Sequence, residues 1–131
     1  MGQPERRMAQ PGPVRRAQWR IVALACNAVL RRPDSSLLGD MFDGAGFVRG
    51  IERKGRRMRG ASALVVGSGG VGLSIAASLA GADVARLGLS DATPMMAEAL
   101  GGRLRAHYAK LRVTTGSNEP LSWVCGCGDR I

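Results

Sequence analysis

Apolar positions along this chain fall into short runs punctuated by glycine and charge, and the clearest pattern lies mid-chain. Residues 63–66 (Ala-Leu-Val-Val) lead straight into Gly67-Ser68-Gly69-Gly70-Val71-Gly72. An unbroken apolar run suits a strand of a parallel sheet buried on both faces. Val71, Ile75 and Leu79 then recur at helical spacing, and Gly81 is placed to stop the helix. Val84, Leu87 and Leu89 predict a second strand that stops at an acid, Asp91. Thr93 and Pro94 predict the start of another helix, with Met96, Leu100 and Leu104 on one face and methionine filling core space. A third strand is predicted over 111–115 and a short fourth over 121–125. Upstream, residues 21–30 and 36–42 read as two strands around a Pro33-Asp34-Ser35 turn. Asp43 predicts a helix N-cap, Phe47, Val48 and Ile51 an apolar face, and Gly55 a stop. Residues 1–19, rich in Pro, Gln and Arg, predict a disordered or poorly packed segment.

Strand, glycine loop, helix, strand, acid is the order of a dinucleotide-binding βαβ unit. Gly67 allows the tight turn, Gly69 lets the backbone approach a pyrophosphate, and Gly72 lets the helix pack closely. The helix start near Gly70 aims free N–H groups and the positive dipole end at phosphates. Gly67, Ser68, Gly69, Gly70, Val71 and Gly72 are therefore the candidate cofactor cradle. Asp91, 19 residues after Gly72, stands where an acid holds a ribose 2′-hydroxyl. The segment Ser90-Asp91-Ala92-Thr93 holds no Arg or Lys to take a 2′-phosphate, which favours NAD over NADP.

The 131 residues allow one modest domain, and the formal net charge is +9. The excess is uneven: residues 1–60 carry 13 Lys/Arg against 5 Asp/Glu, and residues 61–131 carry 6 against 5. Arg53, Lys54, Arg56, Arg57 and Arg59 form the densest run. With only five aromatic residues there is no stacking platform for bases, so the run reads as a solvated face and no nucleic-acid partner is expected. Cys26, Cys125 and Cys127 make neither a disulfide framework nor a metal set, because the count is odd and His107 is the only histidine. No metal is expected. The apolar part of residues 21–30 is too short to span a bilayer as a helix. The expected setting is cytoplasmic, without membrane attachment.

Further residues align with the glycine loop in order. Ala25-Cys26-Asn27-Ala28-Val29 comes first, then residues 39–47 (Gly-Asp-Met-Phe-Asp-Gly-Ala-Gly-Phe), then the loop. The series resembles the shikimate dehydrogenase family, including its quinate/shikimate members, over about residues 23–118. The family shows a V-N-T-like segment, a G-D-N-T-D-G-x-G segment and G-A-G-G-x-[GAS] in this order. The resemblance implies NAD(P)-linked interconversion of shikimate and 3-dehydroshikimate. It implies that Asp43 is the acid that works with a lysine in proton transfer, and that Asn27 and Asp43 bind the hydroxyls of shikimate or quinate. Met41 and Phe42 depart from the usual Asn and Thr. Lys54 and Lys110, the only lysines, do not match the family's catalytic position.

The expected fold is α/β, an incomplete Rossmann-like NAD(P)-binding domain with a preceding β-hairpin. The expected organisation is residues 1–19 as a loose lead, 20–43 as a hairpin belonging to the substrate domain, and 44–131 as a truncated Rossmann domain. The main alternative is a fragment that binds nucleotide without turnover. A methyltransferase also places an acid after its second strand, but more often has a G-x-G-x-G loop and leaves the Asp43 segment unexplained. Nothing in the sequence sets the oligomeric state.

Overall fold

The computed structural model describes residues 27–35 and 37–117. It opens with an antiparallel pair, β1 (Ala28–Arg31) and β2 (Leu37–Asp40), with Val29 opposite Gly39. The expected turn joins them: the Ser35 N–H donates to the Arg32 carbonyl at 2.9 Å, with Ser35 at φ +65°. β2 ends at Asp40 rather than at residue 42. The part of the first expected strand that covers residues 21–26 lies outside the described residues, as do the 1–19 lead and the fourth strand over 121–125.

Helix α1 (Asp43–Arg53) follows. Then β3 (Ser62–Val66), α2 (Gly70–Gly81), β4 (Arg86–Asp91), α3 (Pro94–His107) and β5 (Arg112–Ser117) alternate. The three strands form one parallel sheet in the order β3-β4-β5, with Val65 opposite Leu89 and Leu89 opposite Thr115. This is α/β architecture with a parallel sheet and a separate antiparallel hairpin, as the sequence pattern requires. The core gathers around β4, whose Leu87 and Leu89 are fully buried with Leu79 of α2 and Leu100 and Leu104 of α3. Val48 and Ile51 of α1 pack against that core. No helix among the described residues is long and apolar enough to cross a membrane.

Several expectations are corrected. Asp43 does not cap α1: the ladder starts one residue earlier, with the Gly46 N–H donating to the Phe42 carbonyl at 2.8 Å, so Phe42 holds the N-cap position without a side-chain cap and Asp43 is the first helical residue, bonded to Asn27. Gly81 ends α2 as expected, and the left-handed turn after it falls at Asp83, φ +64°. The Asp83 carbonyl accepts the Gly60 N–H, and its carboxylate meets Arg59 at 3.1 Å. Val84 precedes β4 yet is buried. Met96 is not core: it is 47% exposed, and the buried stripe of α3 is Ala97, Leu100, Gly101 and Leu104. Gly101 sits so close to β5 that a Cβ there would meet Thr115 Cγ2 at 2.7 Å. With Gly101 against β5, Met96 lies on the exposed side, beside Met95 at 80% exposed.

Leu100 is 0% exposed, so Leu100→Ala should cost about 2–5 kcal/mol, read as a lower urea midpoint at unchanged slope. Met96→Ala should fall within about 0.5 kcal/mol of the parent. Equal losses in the two variants would contradict this packing.

Candidate functional site

Two groups of candidate residues lie at neighbouring helix starts. The first is the glycine loop between β3 and α2. Gly67 has φ +95°, a conformation glycine adopts without strain, and its N–H donates to the Ser90 carbonyl at 2.7 Å. This ties the loop to the end of β4. Gly72 is constrained differently: a Cβ there would lie 1.8 Å from the Gly67 carbonyl oxygen. Its missing side chain lets the first turn of α2 fold back on the loop and lie against β3, where a Cβ would also meet Val65 Cγ1 at 3.6 Å. No side chain caps α2 at Gly69. The Leu73 N–H to Gly69 carbonyl bond, 2.8 Å, starts the helical ladder. The amides of Gly70, Val71 and Gly72 precede it, as the leading N–H groups of a helix do.

Gly69 and Gly70 are not glycine for the sake of this chain's own packing, since a Cβ at either would meet nothing within 4 Å. Ser68 Oγ is buried and has no hydrogen-bond partner among the described residues. A buried hydroxyl left so costs about 1–3 kcal/mol. Open glycines, uncapped amides and an unpaired hydroxyl fit a dinucleotide pyrophosphate. A groove of about 570 Å³ continues from the loop, walled by Phe47, Leu64, Val66, Val71 and Ile75.

Asp91 belongs to this loop. Its Oδ2 accepts the Ser68 N–H at 2.5 Å and its Oδ1 the Thr93 N–H at 2.8 Å. The Thr93 and Ser68 amides together hold its carboxyl below the usual carboxylate range. The acid thus clamps the loop to the end of β4, and each oxygen keeps a lone pair for another donor.

The second group is Asn27 with Asp43. Asn27 Nδ2 donates to Asp43 Oδ1 at 2.6 Å, and Asn27 Oδ1 accepts the Phe42 N–H at 3.1 Å. The amide orientation is fixed, because a carboxylate only accepts and a backbone N–H only donates. The Asn27 N–H donates to the Asp40 carbonyl at 3.0 Å, placing Asn27 at the open end of the hairpin. Two contributors escaped the sequence reading. Asp40 is buried, and its Oδ1 takes the Met41 N–H at 2.9 Å, fixing the turn into α1. Ser74 of α2 accepts the Gly44 N–H at 3.0 Å. Its only sequence signal is a hydroxyl in a largely apolar helix, one that Ser78 shares. Met41 is buried while Phe42 is exposed, so the two departures from the family pattern differ in setting. The basic residues Arg53, Lys54, Arg56, Arg57 and Arg59 are all exposed, whereas Cys26, Cys125 and Cys127 lie outside the described residues.

No family model matches the sequence. A shikimate dehydrogenase (NADP(+)) from Symbiobacterium thermophilum is 36% identical over 107 residues, covering 79% of this chain and 36% of that protein. Quinate dehydrogenase from Corynebacterium glutamicum, solved in complex with NAD, superposes with a TM-score of 0.63 at 26% identity, covering 79% of this chain and 35% of that one. The shikimate 5-dehydrogenase of Thermus thermophilus, in complex with NADP(H) and shikimate, gives a TM-score of 0.56 at 31% identity, over 69% of this chain and 31% of that one. The chain belongs to the shikimate/quinate dehydrogenase family. It spans about a third of the length of the curated shikimate dehydrogenases it matches.

In this family member the loop clamp has a definite pH sense. The folded Asp91 carboxyl lies below its ordinary value, so the clamp is complete above roughly pH 4. It is lost as pH falls through the lowered folded value. Protection of the Ser68 amide against hydrogen exchange should follow that course. Asp91→Asn should raise Ser68 exchange severalfold at neutral pH and abolish the acid transition. An unchanged transition in the variant would assign it to another group.

Proposed function

We propose that this chain carries the dinucleotide-binding part of a shikimate/quinate-type dehydrogenase and binds NAD in preference to NADP. The observation that carries the reading is the glycine loop, with Gly69 and Gly70 open and the Ser68 hydroxyl buried and unpartnered among the described residues. The loop amides and Ser68 would hold the pyrophosphate, and Asp91 would accept a ribose hydroxyl. A 2′-hydroxyl donates to that carboxylate, whereas a 2′-phosphate is repelled by it. The bound nicotinamide supplies the hydride acceptor.

Asn27 and Asp43 would meet the ring hydroxyls of a shikimate- or quinate-type acid. A polyol needs donors and acceptors at fixed positions, which the Asn27–Asp43 pair provides. Asp43 Oδ1 is committed to Asn27, and Oδ2 makes no hydrogen bond among the described residues, so Oδ2 is the atom to take or relay the hydroxyl proton. The relatives' names and ligands support the substrate class and leave the coenzyme open, since NAD and NADP(H) both occur among them.

The reading separates binding from turnover. Lys54 caps the far end of α1 from Asp43, and Lys110 lies in the turn before β5, both exposed. Neither stands as a proton-transfer partner to Asp43, whose loss costs roughly 10²–10⁴ in rate. The 131-residue chain should therefore bind NAD in calorimetric titration yet form no NADH above background with shikimate or quinate. Asp91→Ala should weaken NAD binding and narrow its preference over NADP. Gly69→Val should fold normally, since its Cβ meets no protein atom within 4 Å, but should lose nucleotide binding. A Gly69→Val variant that binds NAD as the parent does would reduce the loop to a structural turn. Clear turnover by the parent chain would contradict the account of the missing lysine.

A further inference from the structure

Helix α1 starts without a cap from its own side chains, and the leading amides of a helix need partners from outside it. The Gly44 N–H finds one on the neighbouring helix, donating to Ser74 Oγ at 3.0 Å in a buried contact. Ser74 is 4% exposed, and the other buried residues of α2 are Leu73, Ala76, Ala77, Leu79 and Ala80. A hydroxyl there adds little packing, but it satisfies a buried donor. The backbones also meet at this point. A Cβ on Gly44 would lie 2.1 Å from the Ser74 carbonyl oxygen and 2.3 Å from Ser78 Oγ. Gly44 is next to Asp43, and Ser74 sits one turn into the helix that begins with the candidate phosphate amides.

We propose that Ser74 is a positioning residue: its hydroxyl fixes the start of α1 on α2 and so sets where Asp43 and Asn27 stand relative to the dinucleotide loop. Gly44 is glycine because this docking leaves no room for a side chain. The inference rests on the reading of Asp43 as the substrate-facing acid and of the loop as the nucleotide site. It adds the device that holds the two in register. Removing the hydroxyl leaves the Gly44 N–H buried without an acceptor and frees the start of α1 to shift, while the loop, anchored through Asp91 and the Ser90 carbonyl, keeps its shape.

The test compares the full 131-residue chain with Ser74→Ala and Ser74→Thr. NMR follows the Asn27 side-chain amide, the Asp43 carboxyl carbon and exchange of the Gly44 amide; calorimetry follows NAD. In Ser74→Ala, Gly44 exchange should rise about tenfold and the Asn27 and Asp43 signals should move. The Kd for NAD should stay within about threefold of the parent, because the loop contacts are untouched. Ser74→Thr, which keeps the hydroxyl, should restore the parent signals. Unchanged Gly44, Asn27 and Asp43 in Ser74→Ala would overturn the proposal. So would a general loosening, in which the loop amides shift together with Asn27 and threonine restores nothing. If the parent bound neither NAD nor NADP, the functional reading would fall, and the Gly44 and Asn27 signals would still decide this contact.

Discussion

The start of α2 is approached by other backbone on two sides, and both approaches are closer than any side chain allows. At Gly72 the Gly67 carbonyl occupies the space of a Cβ; at Gly44 the carbonyl of Ser74 does the same. Protein interiors absorb such overlaps only by moving backbone, so these two glycines set where the glycine loop and α1 lie against α2. The rest of the helix then settles on the sheet through small and medium residues, Ala76, Ala77, Leu79 and Ala80. One helix thereby carries the candidate phosphate amides at its tip and the anchor for the Asn27–Asp43 pair one turn behind.

At the tip, two negative groups would share one set of donors. Asp91 already holds the Ser68 amide, which leaves the amides from Gly69 onward for a phosphate. Because Oδ1 and Oδ2 each accept one backbone N–H, the carboxylate is fixed in place and keeps one lone pair on each oxygen. A hydroxyl donor can use those lone pairs; a dianionic phosphate gains nothing from them and is repelled. That asymmetry is the physical ground for the coenzyme preference proposed above. It also makes the acid part of the loop's own structure, so removing Asp91 affects loop geometry as well as any ribose contact.

What was legible in the sequence follows from how local each signal is. The unbroken apolar run before Gly67, the spacing of the glycines and the acid after the second strand are short-range features, and β3, α2 and β4 formed where they pointed. The rotation of α3 was not legible. Its apolar positions four residues apart include Met96, but the deciding contact is Gly101 against Thr115 of the next strand. The capping role expected of Asp43 failed likewise, since the ladder begins at the Phe42 carbonyl and Asp43 turns to Asn27, 16 residues earlier. Ser74 could not be found from pattern alone. A serine in an apolar helix gives no direction, and its partner is a backbone amide that sequence does not mark.

The Asn27 side chain shows why a carboxamide serves at the hairpin's open end. It must accept from Phe42 and donate to Asp43 at once. An aspartate there would present only acceptors and would repel Asp43; a leucine would leave the Phe42 amide and one carboxylate oxygen without these bonds. Asparagine meets both demands with one lone pair and one N–H, keeping the second of each uncommitted among the described residues. The same residue that latches the hairpin to α1 thus retains one donor and one acceptor, exposed and held in a fixed plane by its two protein partners. A vicinal diol asks for that pairing, because each hydroxyl both donates and accepts. The geometry that secures the turn into α1, and the contact proposed for a ring polyol, therefore both rest on one side chain's two-sided hydrogen bonding.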